Sequence, residues 1–200
     1  MARRMRQGES VVVTPGIPLV ATTPPVISGK VKVGESLQTT TGTWPGTPRF
    51  THQWLRDGRA IAGATGPGYR VAPADAGHRL SVRVTATSAG YAPGTGSSSA
   101  RPVPRLSSKV TAATAPRVGA RQRATVAVTI TVPLATAIGK VTVLEGRRTL
   151  ATRAVTATAR GQVTLRLPRL RTGRHVLTVR YLGTAEIAPS APRKVRLRVG

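Results

Sequence analysis

Apolar and polar residues alternate with a period of two along most of this chain, which predicts β-strands rather than helices. Leu80, Val82, Val84 and Ala86 alternate with Ser81, Arg83 and Thr85. Val126, Val128, Ile130 and Val132 alternate with Ala127, Thr129 and Thr131. Toward the end, Val163, Leu165 and Leu167, then Leu177, Val179 and Tyr181, then Val195, Leu197 and Val199 repeat the pattern. Each apolar set is expected to face a core. A strand is also expected over residues 50–55, with Phe50, His52 and Trp54 on one face and Trp54 buried. Asp57 and Gly58 follow it as a hairpin turn, a pair that tolerates positive φ.

Turn residues divide the remainder. In the first half, strands are expected over 26–33, 37–43, 69–71 and 95–103. Residues 73–78, Pro-Ala-Asp-Ala-Gly-His, read as a tight corner that includes Asp75, Gly77 and His78. In the second half, further strands are expected over 109–112, 139–146 and 149–154. About seven short strands with turns between them is the pattern of a two-sheet sandwich. The fold class is therefore all-β, with two tandem sandwiches. The first is expected over 25–104 and the second over 109–200, joined by a short, stiff linker at 105–108 after Pro102 and Pro104. Residues 1–24 read as a disordered basic lead and Pro/Thr linker.

Charge changes the picture more than composition does. The 200 residues carry 31 Lys and Arg against 6 Asp and Glu, a formal net charge of +25. The second half holds most of the excess. Such a field favours polyanions. A GC-rich genome would produce the same Arg-, Ala- and Pro-rich composition without any such function. There is no cysteine, which removes disulfides, thiolate nucleophiles and thiolate metal sites. Residues 11–21 are broken by Pro15, Gly16 and Pro18, so no export signal is read there, and no run is long enough for a membrane-spanning helix.

A set of ordered motifs carries a resemblance. Ile27-Ser28-Gly29-Lys30-Val31, Gly42-Thr43-Trp44-Pro45, Gln53-Trp54-Leu55-Arg56-Asp57-Gly58 and Ala74-Asp75-Ala76-Gly77-His78-Arg79-Leu80 occur in sequence. Residues 22–104 thus resemble the bacterial Ig-like repeat of secreted and cell-surface proteins in actinobacteria. Gly139-Lys140-Val141-Thr142-Val143, Leu165-Arg166-Leu167-Pro168, Thr172-Gly173-Arg174-His175 and Leu177-Thr178-Val179-Arg180-Tyr181-Leu182-Gly183 resemble a second type of that repeat, over 107–199. The resemblance implies immunoglobulin-like sandwiches and a spacer or adhesion role in an extracellular or cell-surface protein, as a fragment or relative of a larger one. In such corners a Tyr hydroxyl often ties the turn to the backbone. Here His78 stands at that place and is expected to tie it through a ring nitrogen.

Candidate chemistry is sparse. His52, His78 and His175 lie in three separate elements without zinc-ligand spacing, so no metal or cofactor is expected. Asp57 and Asp75 are explained by turns, no serine stands in a nucleophile elbow, and no enzyme is expected. The unusual surface is basic. Arg166, Arg180, Arg196 and Arg198 lie on strands whose other faces are apolar. They are expected to form a stripe if those strands are neighbours. The partner would be an anionic cell-wall polymer, with another surface protein as an alternative and nucleic acid held only without sequence preference. A carbohydrate-binding module is a third reading, with Trp44 and Tyr91 as its only aromatic candidates. The chain is expected to be a monomer.

Overall fold

The computed structural model describes residues 16–200. Eight strands build the first half: β1 (Ile27–Ser28), β2 (Ser36–Thr39), β3 (Arg49–Arg56), β4 (Arg59–Ala60), β5 (Gly68–Arg70), β6 (Arg79–Thr87), β7 (Gly94–Ser97) and β8 (Arg101–Pro102). One sheet has the order β1-β2-β5 and the facing sheet the order β4-β3-β6-β7, with β8 continuing beside β6. Trp54 is 0% exposed between them. Its ring stacks on Tyr69 with centroids 5.3 Å apart, and its indole N–H donates to the Gly66 carbonyl at 3.0 Å. The alternation along β6 holds, with Leu80, Val82, Val84 and Ala86 buried.

The second half contains β9 (Lys109–Thr114), β10 (Arg117–Val118), β11 (Thr125–Thr131), β12 (Gly139–Glu145), β13 (Arg148–Val155), β14 (Gln162–Arg166), β15 (Gly173–Tyr181) and β16 (Arg193–Val199). A three-stranded sheet, β14-β11-β9, faces a five-stranded sheet, β10-β16-β15-β12-β13. Val126, Val128, Ile130, Leu165, Leu177, Val179 and Leu197 fill the space between. Both halves are immunoglobulin-like β-sandwiches, and the described residues form no α-helix. No helix among them is long and apolar enough to cross a membrane.

Three expectations need correction. The strand expected over 26–33 is only Ile27–Ser28. The chain leaves the sheet at Gly29, and Val33 returns to the core from a turn. The strand expected over 95–103 is two pieces, β7 and β8, pairing with different parts of β6. The lead expected over 1–24 falls partly outside the described residues, at 1–15. Residues 16–24 lie against the first sandwich. Leu19 is buried with Trp44 and Ala86, its N–H donates to the Ala92 carbonyl at 3.1 Å, and Thr22 N–H donates to the Thr43 carbonyl at 2.8 Å. A Pro- and Thr-rich stretch has few side chains to signal a strand, yet its extended backbone can still pair, and Leu19 anchors it in a small apolar cluster with Trp44 and Ala86.

The halves meet through contacts rather than across a free linker. Leu106 is buried and bridges in parallel to Ile187; its N–H donates to the Glu186 carbonyl at 2.9 Å and its carbonyl accepts from Ala188 N–H at 2.8 Å. Arg105 Nε donates to the Ala185 carbonyl at 2.9 Å. Gly77, at φ +79°, brings the first sandwich's corner against the same Ala185 carbonyl.

Candidate functional site

The corner of the first sandwich is built on Asp75, which is 0% exposed. Its Oδ1 accepts from Arg56 Nε and Nη2, each at 2.7 Å. Its Oδ2 accepts from the Tyr69 hydroxyl and the Ala72 backbone N–H, each at 2.7 Å. A buried carboxylate is tolerable only with such a complete donor set. Burial, followed by the bond to Asp75, pushes the Tyr69 hydroxyl up to about 12. The corner tie expected from His78 takes another form: His78 Nδ1 meets Asp57 Oδ2 at 2.6 Å, and Nε2 faces Glu186 Oε1 of the second sandwich at 3.8 Å. Its partners are carboxylates, not the backbone, and it lies between the halves. The Thr184 hydroxyl, donating to Glu186 at 2.8 Å, holds that carboxyl below its ordinary value.

In the second sandwich Tyr181 points inward, buried, and its hydroxyl donates to the Ile138 carbonyl. His175 faces two acceptors: Glu145 Oε1 at 2.6 Å from Nδ1 and the Arg171 carbonyl at 2.8 Å from Nε2. Both ring nitrogens must carry protons to donate to both, so the geometry calls for the imidazolium. The Glu145 carboxylate raises the His175 pKa accordingly. Burial pushes His52 the other way, and its Nε2 has no hydrogen-bond partner. No group of three or more His, Asp and Glu that could hold a metal occurs among the described residues.

The basic residues are the remaining surface of interest. Arg180, Arg196 and Arg198 lie on the outer face of the five-stranded sheet, as the alternation of β15 and β16 requires. Arg166 does not join them. It sits on β14, in the other sheet, opposite Thr125 of β11. Strand alternation assigns a face within one sheet but says nothing about which sheet a strand enters, so the pattern alone does not separate Arg166 from the other three.

Two arginines the stripe lacked take its place. On β15, Arg174 stands directly across from Arg198 of β16; on the other side, Arg117 of β10 pairs in parallel register with Arg198. Three adjacent strands thus carry arginine in one row, about 4.8 Å apart from strand to strand. Arg196 and Lys194 continue along β16 on the same face, opposite Val176 and Thr178. Arg117, Arg174, Arg196 and Arg198 are all exposed, and none makes a salt bridge or side-chain hydrogen bond among the described residues. Glu145 and Glu186, the second half's two acids, are engaged by His175 and by Thr184 and His78. Like charges placed directly opposite on neighbouring strands destabilise a sheet, so this row is an electrostatic cost to the free protein. A shallow concavity of ≈ 500 Å³ is lined by Pro116, Arg174, Val176, Arg196 and Arg198, and Arg117 lines a second one with Arg198. The two-residue β10 gives no periodicity to read, and Arg174 precedes the point where alternation becomes evident.

The aromatic candidates for sugar binding separate. Trp44 is buried, with its indole N–H donating to the Thr41 carbonyl at 2.7 Å and its ring beside Phe50. Tyr91 is 51% exposed and stands alone.

Residues 108–200 match the family of bacterial Ig-like domains, group 3. No curated protein matches the chain. Among solved structures, an ectodomain fragment of ICAM-5 is similar over 88% of this chain and 53% of its own, at 14% identity and a TM-score of 0.42. Three N-terminal domains of the highly immunogenic outer capsid protein of bacteriophage RB49 are similar over 89% of this chain and 59% of their own, at 13% identity and a TM-score of 0.33. The N-terminal eight Ig domains of Down syndrome cell adhesion molecule are similar over 88% of this chain and 24% of their own, at 15% identity and a TM-score of 0.32. The chain spans 53% and 59% of the length of the first two of these structures.

Proposed function

We propose that this chain is a non-catalytic immunoglobulin-like spacer or adhesion module of an exported or cell-surface bacterial protein, a part or relative of a larger multidomain one. The observation that carries the reading is the junction between the two sandwiches. Leu106 is paired to Ile187, Arg105 to the Ala185 carbonyl, and Gly77 is pressed against that same carbonyl. A linker that is hydrogen-bonded along its length holds two domains at a set separation, which a spacer needs and a flexible tether does not provide. The family match over 108–200 supports the bacterial surface setting. Asp75, the buried acid at the corner of the first sandwich, is consumed by structural hydrogen bonds to Arg56, Tyr69 and Ala72, which fits a non-catalytic role.

The setting is tested on intact cells of the producing bacterium carrying an epitope-tagged copy of the chain. Cleavage by protease added outside supports the reading. Protection until the cells are lysed contradicts it.

A second reading, binding of a polyanion by the second sandwich, is favoured by one observation: a row of arginines that makes no salt bridge among the described residues.

A further inference from the structure

The row of arginines has a shape as well as a charge. Along β16, Lys194, Arg196 and Arg198 recur at every second residue, about 6.6 Å apart. Across the strands, Arg117, Arg198 and Arg174 stand side by side. The first arrangement suits a linear chain with regularly repeated charges rather than a single small anion. The second sets arginines of three adjacent strands in one row, with Arg198 in the middle lining a concavity with Arg117 on one side and with Arg174 on the other. A carboxylate is satisfied by one guanidinium fork in its plane, whereas a tetrahedral phosphate accepts donors converging from several directions. Between the cations, Val176 is 46% exposed and lies directly opposite Arg196, giving the concavity an apolar floor. No aromatic ring shares this face, since Tyr181 points into the core. Nucleobases would therefore have nothing to stack on.

From these features we infer that the face formed by β10, β16 and β15 binds a linear polyol-phosphate chain, the chemistry of an anionic wall polymer. Arg117, Arg174 and Arg198 grip one phosphodiester, Arg196 and Lys194 meet the following ones, and Val176 packs against the intervening CH groups. The inference does not depend on the spacer role; it rests on the second reading, polyanion binding by the second sandwich, and names the polymer, so that tighter binding of DNA or polygalacturonate would overturn the inference and leave that reading standing. A spacer carrying such a face would also lie against its wall rather than project freely from it.

The test is binding of the whole chain to synthetic poly(glycerol phosphate) across a salt series, beside single-stranded DNA and polygalacturonate of matched charge. The expected result is tightest binding to the polyol phosphate. The triple variant Arg117→Gln, Arg174→Gln, Arg198→Gln is expected to weaken it at least about tenfold, and to lower the slope of log affinity against log salt by about 2. A control triple removing equal charge elsewhere, Arg49→Gln, Arg83→Gln, Arg166→Gln, is expected to change affinity by less than about twofold, since distant exposed charges are screened. Equal losses in both triples would overturn the inference, as would equal or tighter binding of DNA or polygalacturonate. A readout on the unmodified protein makes the result independent of variant folding. Poly(glycerol phosphate) should shift the Val176 methyl resonances; shifts confined to other faces would also overturn it.

Discussion

A β-carbon placed on Gly77 would stand 2.3 Å from the carbonyl oxygen of Ala185, so the corner of the first sandwich touches the second as closely as backbone can. Gly77 also has φ +79°. Two separable costs therefore attach to Gly77→Ala, the left-handed conformation and the collision. Gly58 has the same φ of +79° with nothing within 4 Å of its would-be β-carbon. Gly58→Ala should lower stability by about 1 kcal/mol through conformation alone. Gly77→Ala should cost at least about 1 kcal/mol more and loosen the junction as well. Denaturant melts of the two variants check the difference, and equal losses would mean that the contact does not constrain the halves.

Asp75 carries the second prediction. Asp75→Ala leaves Arg56 and the Tyr69 hydroxyl facing an apolar gap and should destabilise the first sandwich by about 3 kcal/mol or more. Tyr69→Phe removes a single bond to a charged acceptor and should cost about 1.5–3 kcal/mol. Chemical denaturation followed by Trp54 fluorescence reads both. A loss below 1 kcal/mol for Asp75→Ala would show that the network is not what holds the corner.

His175 gives a pH dependence of known sign. Its pKa is raised in the folded protein above the ordinary histidine value of 6.5, first by the bond to Glu145. A group raised in this way contributes stability that is fully present below its unfolded value and is lost as pH rises through its folded value. The wild type should therefore lose stability relative to His175→Gln between about pH 6.5 and the higher folded pKa, and the gap should stay level below that window. Melting temperatures of both proteins across that range check it; a gap that widens with rising pH would be the opposite sign.

Removing one member of the arginine row should stabilise the free protein. Arg198 faces Arg174 on one side and Arg117 on the other. Arg198→Gln should raise the melting temperature in low salt, by a few tenths of a kcal/mol in stability, and the gain should vanish in high salt. A lowered melting temperature in low salt would mean that Arg198 is held by packing that outweighs the repulsion.

Much of this fold is legible in the sequence because sheets buried on one face write their burial as strict alternation. Trp54, the runs through Val126–Val132 and Leu177–Tyr181, and the Asp57-Gly58 hairpin all stand where the pattern predicts. Failures occur where alternation carries no information. The stripe expected if the strands of Arg166, Arg180, Arg196 and Arg198 are neighbours excludes Arg166, whose strand lies in the other sheet, because sheet membership depends on crossovers between distant segments. The parallel pairing of Arg117 with Arg198 involves a strand of two residues. Leu19 is a lone apolar residue among prolines and threonines, and only the tertiary structure shows what it covers. The partners of His78 come from a turn and from the other sandwich, 21 and 108 positions away in the chain, beyond the reach of any local pattern.

The central claim is that the two sandwiches are held at a fixed separation. The chain has no cysteine, so Thr51→Cys on β3 and Thr164→Cys on β14 place spin labels cleanly on exposed positions of the two halves. The distance distribution between them is the most direct measurement. A single narrow peak in the wild type that broadens with Gly77→Ala, but not with Gly58→Ala, is the predicted result. A broad distribution in the wild type, indifferent to Gly77, would mean that residues 105–108 act as a free hinge and that the chain is not a spacer of set length.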